Sequence, residues 1–286
     1  MKKIICFILF FMINLASSAQ VSDSTSISIK PTKAWDNKGS FKFILNQSSY
    51  SNWVAGGDNN IGGNVMLNYN MNYKRGPWTW NSRIMAAFGL SKTADKNVKK
   101  TDDKIEINSV LGYKAGGRWS YSFFTNIKTQ FTKGYKDYNA DPLVKISDFL
   151  SPGYFYFGPG MLWKESDDFY LNLSPATSRV TVVKPEQSGN FSVEEGKTLN
   201  YEFGFNATLY YKFEIIDNIY FENILTLYAD YLKEFNNALI DYQLNVTMKV
   251  NKYISTNLNI EIVSDSNASS KIQTKQLFGL GLNIGL

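Results

Sequence analysis

Asn64, Asn68, Asn70 and Asn72 alternate with Val65, Leu67, Tyr69, Met71 and Tyr73. A two-residue period belongs to an extended strand, whose successive side chains leave opposite faces, whereas a helix would scatter the same residues around its surface. One face of this strand is made for water and the other for an apolar medium. The period returns about a dozen times, so the chain is all-β. Twelve strands are expected, at about 41–46, 62–74, 78–90, 105–113, 119–131, 153–164, from 169 onward, 199–213, 219–231, 240–250, 254–262 and 278–286. The strand from 169 is interrupted at Ser174-Pro175 and is the least regular. The connections near 76, 116, 166, 217 and 251 are short. Those near 55, 96, 140, 190 and 268 are mostly long, with a shorter one near 236. Strict alternation of this kind is what an antiparallel membrane barrel needs, with short periplasmic turns and longer outside loops.

The amino terminus has the anatomy of a secretory signal peptide: Lys2 and Lys3, an apolar run over 4–13, and Ala16-Ser17-Ser18-Ala19 for cleavage. The expected organisation is a signal peptide over 1–19, a polar periplasmic segment over 20–38 and a barrel domain over 39–286. The apolar run is too short to cross a bilayer, and no later run reaches the length of a membrane helix. Cys6 is the only cysteine and falls within the signal, so the mature chain has no disulfide or thiol ligand. The formal charge of +5 falls to near +3 without Lys2 and Lys3, and charges of both signs intermingle. Nothing in that pattern suggests a nucleic-acid partner.

Periodicity alone leaves the inside undecided, since a lipocalin-like barrel or a sandwich would show the same alternation with its apolar face inward. Three features point to lipid outside. Aromatic residues on the apolar face gather by the short turns: Tyr73, Trp78, Trp80, Tyr113, Trp119, Tyr121, Trp163, Phe169, Tyr211, Phe213 and Phe221. That is the position of an interfacial girdle. The opposite face carries mid-strand charges, and the last strand runs to Leu286. In lipid every backbone N–H and C=O must pair, so such a sheet has to close. The expected fold is therefore a closed antiparallel transmembrane β-barrel of about twelve strands. Its lumen would be either a narrow aqueous path or one blocked by crossing side chains or a loop.

Candidate lumen residues are Asn64, Asn68, Asn70, Arg83, Glu106, Lys128, Glu202, Lys212, Glu222 and Asp241. A candidate constriction is the segment with Trp53, Gly56, Gly57, Asp58 and Asn59, where an inward-folded hairpin would place Trp53 against the wall; the alternative is an ordinary hairpin tip. Lys99 to Lys104 offers two carboxylates but lacks EF-hand spacing, and reads as a solvated outside loop. The chain has no histidine, which removes Ser-His and Asp-His catalysis, and with no mature cysteine the usual zinc sites go too. A carboxylate-pair glycosidase finds no support in spacing. No enzyme activity, cofactor or metal is expected.

The segments Ser51-Asn52-Trp53 through Asn59, Trp78-Thr79-Trp80 and Lys100-Thr101-Asp102-Asp103-Lys104-Ile105 resemble an uncharacterised outer-membrane barrel family of Gram-negative bacteria, a domain of unknown function. Gln130-Phe131 with Gly134-Tyr135, Phe149 to Pro152, Leu173 to Pro175 and Met248 to Ser255 follow the same pattern, and the likeness covers about 35–286. It implies a barrel in the outer membrane but no activity or site residue, and the terminal Leu286 departs from the aromatic end that such barrels often carry. The expected role is a narrow channel, or a carrier for a small polar or amphiphilic solute. The alternatives are a plugged barrel presenting its loops to a partner and a soluble periplasmic binding barrel. Outer-membrane lipid, lipopolysaccharide and the barrel assembly machinery are the expected partners.

Overall fold

A computed structural model of the chain describes residues 34–51, 58–232, 238–265 and 271–285. The expected signal peptide, the expected polar segment up to 33, Trp53, Gly56, Gly57 and Leu286 lie outside the described residues. The described residues belong to one unit, Ala34–Leu286. This unit is a closed antiparallel barrel of twelve strands: β1 (Trp35–Ser48), β2 (Asn60–Arg75), β3 (Trp78–Thr93), β4 (Lys99–Gly116), β5 (Trp119–Thr129), β8 (Gly153–Lys164), β9 (Phe169–Val182), β10 (Leu199–Ile216), β11 (Ile219–Asp230), β12 (Leu239–Lys249), β13 (Ile254–Ser264) and β14 (Gln273–Gly285). A two-stranded ribbon, β6 (Gly134–Tyr135) with β7 (Lys145–Ser147), and a short 3₁₀ turn, Pro185–Gln187, lie in the long connections.

Each strand pairs with its neighbour in sequence, and β1 closes the ring on β14. Closure satisfies the backbone without a free edge, the condition lipid imposes. The closing seam is the shortest pairing of the ring, with six residue pairs from Ser40–Gly285 to Leu45–Leu280 against sixteen between β2 and β3. Tight turns rest on Gly76 and Gly117, whose φ of +59° and +55° a side chain would resist.

The interior is polar. Among the described residues, twenty buried side chains are polar or charged and twelve are hydrophobic, while Leu111, Phe123, Phe203, Leu280 and Leu282 are exposed. A soluble protein buries its apolar residues. This barrel turns them outward, as a membrane-embedded one must, and the alternation of 64–73 shows how. Asn64 is buried and Asn68 and Asn70 line the lumen, while Val65 is exposed.

Much of the expected girdle stands in three groups of touching rings. Trp35 meets Tyr73 and Trp80 at 5.0 and 5.8 Å, and Trp78 meets Tyr113 at 4.9 Å. Trp163, Phe169, Tyr211, Phe213 and Phe221 form the third at 4.9–5.6 Å. Trp35 explains why β1 starts six residues before the expected 41: its ring belongs to the girdle, and its backbone pairs with Tyr73. The polar stretch before it had hidden the start.

Two departures from regular pairing matter for the lumen. On β9 the register slips by one residue around Ser174, Pro175 and Ala176 against both neighbours, a bulge that reverses which parity faces inward. The expected interruption is thus a bulge within one strand. Gly158 and Gly160 make room for it, since a Cβ on either would strike the backbone of Ala176 or Leu173. On β4 a similar slip leaves Thr101 unpaired.

Candidate functional site

Charged side chains divide the lumen into compartments. Arg83 on β3 and Glu222 on β11 project from walls six strands apart in the twelve-strand ring, so their contact crosses the full diameter. Arg83 Nη2 donates to both carboxylate oxygens at 2.9 Å, while Tyr210 Oη and Asn245 Nδ2 each donate to Glu222 at 2.9 Å. A buried carboxylate needs this many partners to offset its lost hydration.

A second bridge is a line of seven alternating charges. Asp102 pairs with Lys275 at 3.1 Å, Lys275 with Glu261 at 3.0 Å, and Glu261 with Lys104 at 3.2 Å. Lys104 pairs with Glu106 at 2.8 Å, Glu106 lies 3.7 Å from Lys128, and Lys128 is paired with Asp241. Asn108 and Asn126 donate to Glu106 at 3.1 Å each. The line runs between β4–β5 and β12–β14, again across the lumen.

The third element is Arg179, 2% exposed, held by Glu202 at 3.2 Å and Asp265 at 3.1 Å. Its guanidinium lies 5.4–5.6 Å from the ring centres of Tyr154, Tyr156 and Tyr228, a cation–π cage. Tyr156 and Tyr228 also pack with Phe124 and Leu239, with Val110 and Tyr154 against them. This packing fills the β5–β12 side of the barrel and leaves a void of only about 60 Å³ below it.

The space that remains runs along the other wall. A cavity of about 570 Å³ opens at the short-turn mouth beside Asn251, Lys252 and Gly285 and reaches inward past Lys42, Asn68, Asn70, Arg83 and Asn245 to Lys275. A second, of about 720 Å³, opens among the long loops near Lys96, Lys136 and Tyr138. Lys275 and Leu277 line both. Lys275, paired with Asp102 and Glu261, and Leu277 therefore stand where the two cavities meet.

Above the lumen the long loops are tied together. Asp148 takes Lys184 at 2.7 Å, Lys145 at 3.3 Å and the Phe149 N–H at 2.9 Å. Lys145 also pairs with Glu186, and its carbonyl accepts from Gln187 at 3.0 Å. Asp148 is held down to about 2 from 3.8, chiefly by the Lys184 ammonium, with the Phe149 N–H and Lys145 adding to it against the opposing effect of burial.

Of the expected lumen residues, Arg83 and Glu222 pair with each other, and Glu106, Lys128 and Asp241 share the long network. Glu202 serves Arg179, while Asn68, Asn70 and Lys212 line the turn-side cavity. Asn64 lies buried in the wall against Gly89. Asp58 and Asn59 are exposed at the base of their hairpin. The Asn59 side chain accepts the Tyr50 N–H at 2.6 Å, and neither Asp58 nor Asn59 lines the two cavities; the rest of the candidate constriction lies outside the described residues. The run Lys99 to Lys104 is corrected from loop to strand: β4 begins at Lys99, and Asp102 and Lys104 point into the lumen.

Sequence reading missed Asp102, Lys104, Arg179, Glu261 and Lys275 as site residues. Glu261 had a usable signal, sharing parity with Asn257 and Asn259 opposite Leu258, Ile260 and Ile262. Arg179 had none, because the β9 bulge inverts the parity that would have placed it.

No curated protein matches the chain. The translocator domain of the autotransporter NalP from Neisseria meningitidis is 9% identical, with 90% of this chain and 89% of that one covered and a TM-score of 0.33. An outer-membrane channel from Pseudomonas putida F1 is 8% identical over 90% of this chain and 99% of that one, with a TM-score of 0.39. At such identities and scores the likeness extends to neither residues nor activity. Residues 45–135, from the end of β1 through β6, match the family described as "Protein of unknown function (DUF3078)".

Proposed function

We propose that this protein is an integral outer-membrane barrel acting as a gated conduit for a small polar solute, closed in this conformation by Lys275. The observation that carries the reading is the shared wall: cavities of about 570 and 720 Å³ meet at Lys275 and Leu277, with Lys275 held by Asp102 and Glu261. An apolar exterior and a girdle at the short-turn end support a membrane setting, and the expected signal peptide supports export. Short turns face the periplasm in such barrels, which makes the smaller cavity a periplasmic vestibule and the larger one an outside vestibule. The rest of the lumen is filled by the Arg179 cage, so passage is confined to the Lys275 side. A solute moves only when that ammonium leaves its carboxylates.

Recording from refolded barrel in planar bilayers tests this. Wild type is expected to stay closed or flicker briefly, and Lys275→Ala to give sustained steps several-fold more often. A Lys275→Ala barrel that folds, as judged by heat-modifiable migration, and yet stays silent would leave a plugged barrel whose role lies in its loops.

A further inference from the structure

The charge balance of the two vestibules points beyond gating. In the periplasmic cavity the carboxylates Asp102, Glu222 and Glu261 are all engaged by Lys275, Arg83 and Lys104. Four further lysines line the same space: Lys42, Lys212, Lys249 and Lys252. Among the described residues no carboxylate lies within ion-pairing distance of any of them. Lys42 Nζ donates to Thr247 Oγ1 at 3.0 Å and Asn257 Oδ1 at 3.1 Å. Lys249 and Lys252 sit 4.3 and 4.7 Å from the ring centres of Tyr220 and Tyr253. Neutral partners hold Lys42, Lys249 and Lys252 in place, and no ion pair takes up their charge. The outside cavity is lined by Lys96, Lys99 and Lys136 together with the carboxylate Asp137.

Like charges gathered along a concave wall raise the local positive potential, and an entering anion is drawn to it. The remaining lining supplies a second kind of recognition. Asn68 and Asn70 present carboxamides to the same space. A carboxamide both donates and accepts, which suits a hydroxyl on whatever enters.

We infer that the periplasmic vestibule is a binding site for a small anion that also carries hydroxyl groups, such as a phosphorylated sugar or a hydroxy acid, and that the conduit is anion-selective. This rests on the conduit reading for its second half only; the binding site stands or falls separately. The volume of about 570 Å³ suits a solute of that size.

Calorimetric titration of detergent-refolded barrel with glucose 6-phosphate, inorganic phosphate and glucose tests the site. The sugar phosphate should bind best, phosphate more weakly and glucose not measurably. The double variant Lys42→Gln/Lys249→Gln should weaken sugar-phosphate binding by about tenfold or more, the scale of one lost charge-assisted hydrogen bond. The matching pair Lys96→Gln/Lys136→Gln, on the outside cavity, should leave it unchanged and so controls for general loss of positive charge. Equal binding of glucose and its phosphate, or full affinity in the folded Lys42→Gln/Lys249→Gln barrel, overturns the site. Reversal potentials in a salt gradient, measured on Lys275→Ala, should show chloride preferred over potassium. Conduction with cation preference and no sugar-phosphate binding would sink this inference and spare the conduit. Binding without conduction would do the reverse.

Discussion

Glu222 shows what a lumen demands of one carboxylate. Arg83, Tyr210 and Asn245 supply four donors' worth of contacts at 2.9 Å, and each comes from a different strand. Removing Arg83 alone strands an anion in a space with little water. Arg83→Leu is expected to cost about 3–5 kcal/mol in denaturant unfolding of the refolded barrel, and Arg83→Leu/Glu222→Leu far less. Equal losses in single and double variants would show that the pair does not act as a unit. Both residues were legible as lumen residues from parity alone. Their partnership was not, because it depends on ring closure bringing β3 opposite β11, and no local pattern reports which positions share a diameter.

Elements were legible where the period was unbroken and the turns were short, and lost where one inserted residue changed phase. β2 and β10 follow their alternation; β9 does so only up to its bulge, after which Thr177, Arg179 and Thr181 take over the inward positions and are buried. Pro175 marked the disturbance without giving its sense. The long connections carried still less signal, since their order comes from a few polar contacts centred on Asp148. Its low folded pKa means that ionised Asp148 stabilises the loop clasp at pH above about 4. That contribution is lost as pH falls toward 2 and Lys184 and Lys145 lose their partner. Pepsin should therefore cleave the 130–152 connection faster at pH 2 than at pH 4, beyond the protease's own pH dependence on an unfolded control. Asp148→Asn should raise tryptic cutting after Lys145 or Lys184 at neutral pH; cutting as slow as in wild type would mean that the clasp does not depend on this charge.

For the whole molecule, repeated alternation with strict alternation of turn lengths sufficed to read a closed barrel with its apolar face outward. Whether the lumen was open was beyond that reading, because Asp102 on β4 meets Glu261 and Lys275 on β13 and β14, strands far from it in sequence, only after closure. The seam makes closure itself a weak point, with six pairs between β1 and β14. Deuterium exchange in lipid nanodiscs should show the amides of 40–45 and 280–285 exchanging ahead of the β2–β3 pairing; equal protection would mean that packing compensates for the short ladder.

The same seam also sets an order of events in time. Every other pairing in the ring joins strands made one after the other, but β1 must wait, one edge unsatisfied, until β14 exists. Until then the sheet is an open ribbon that lipid cannot tolerate. A chain stopped before Leu280 would lack all six closing pairs. The ring can therefore close only in a chain made through to its final strand.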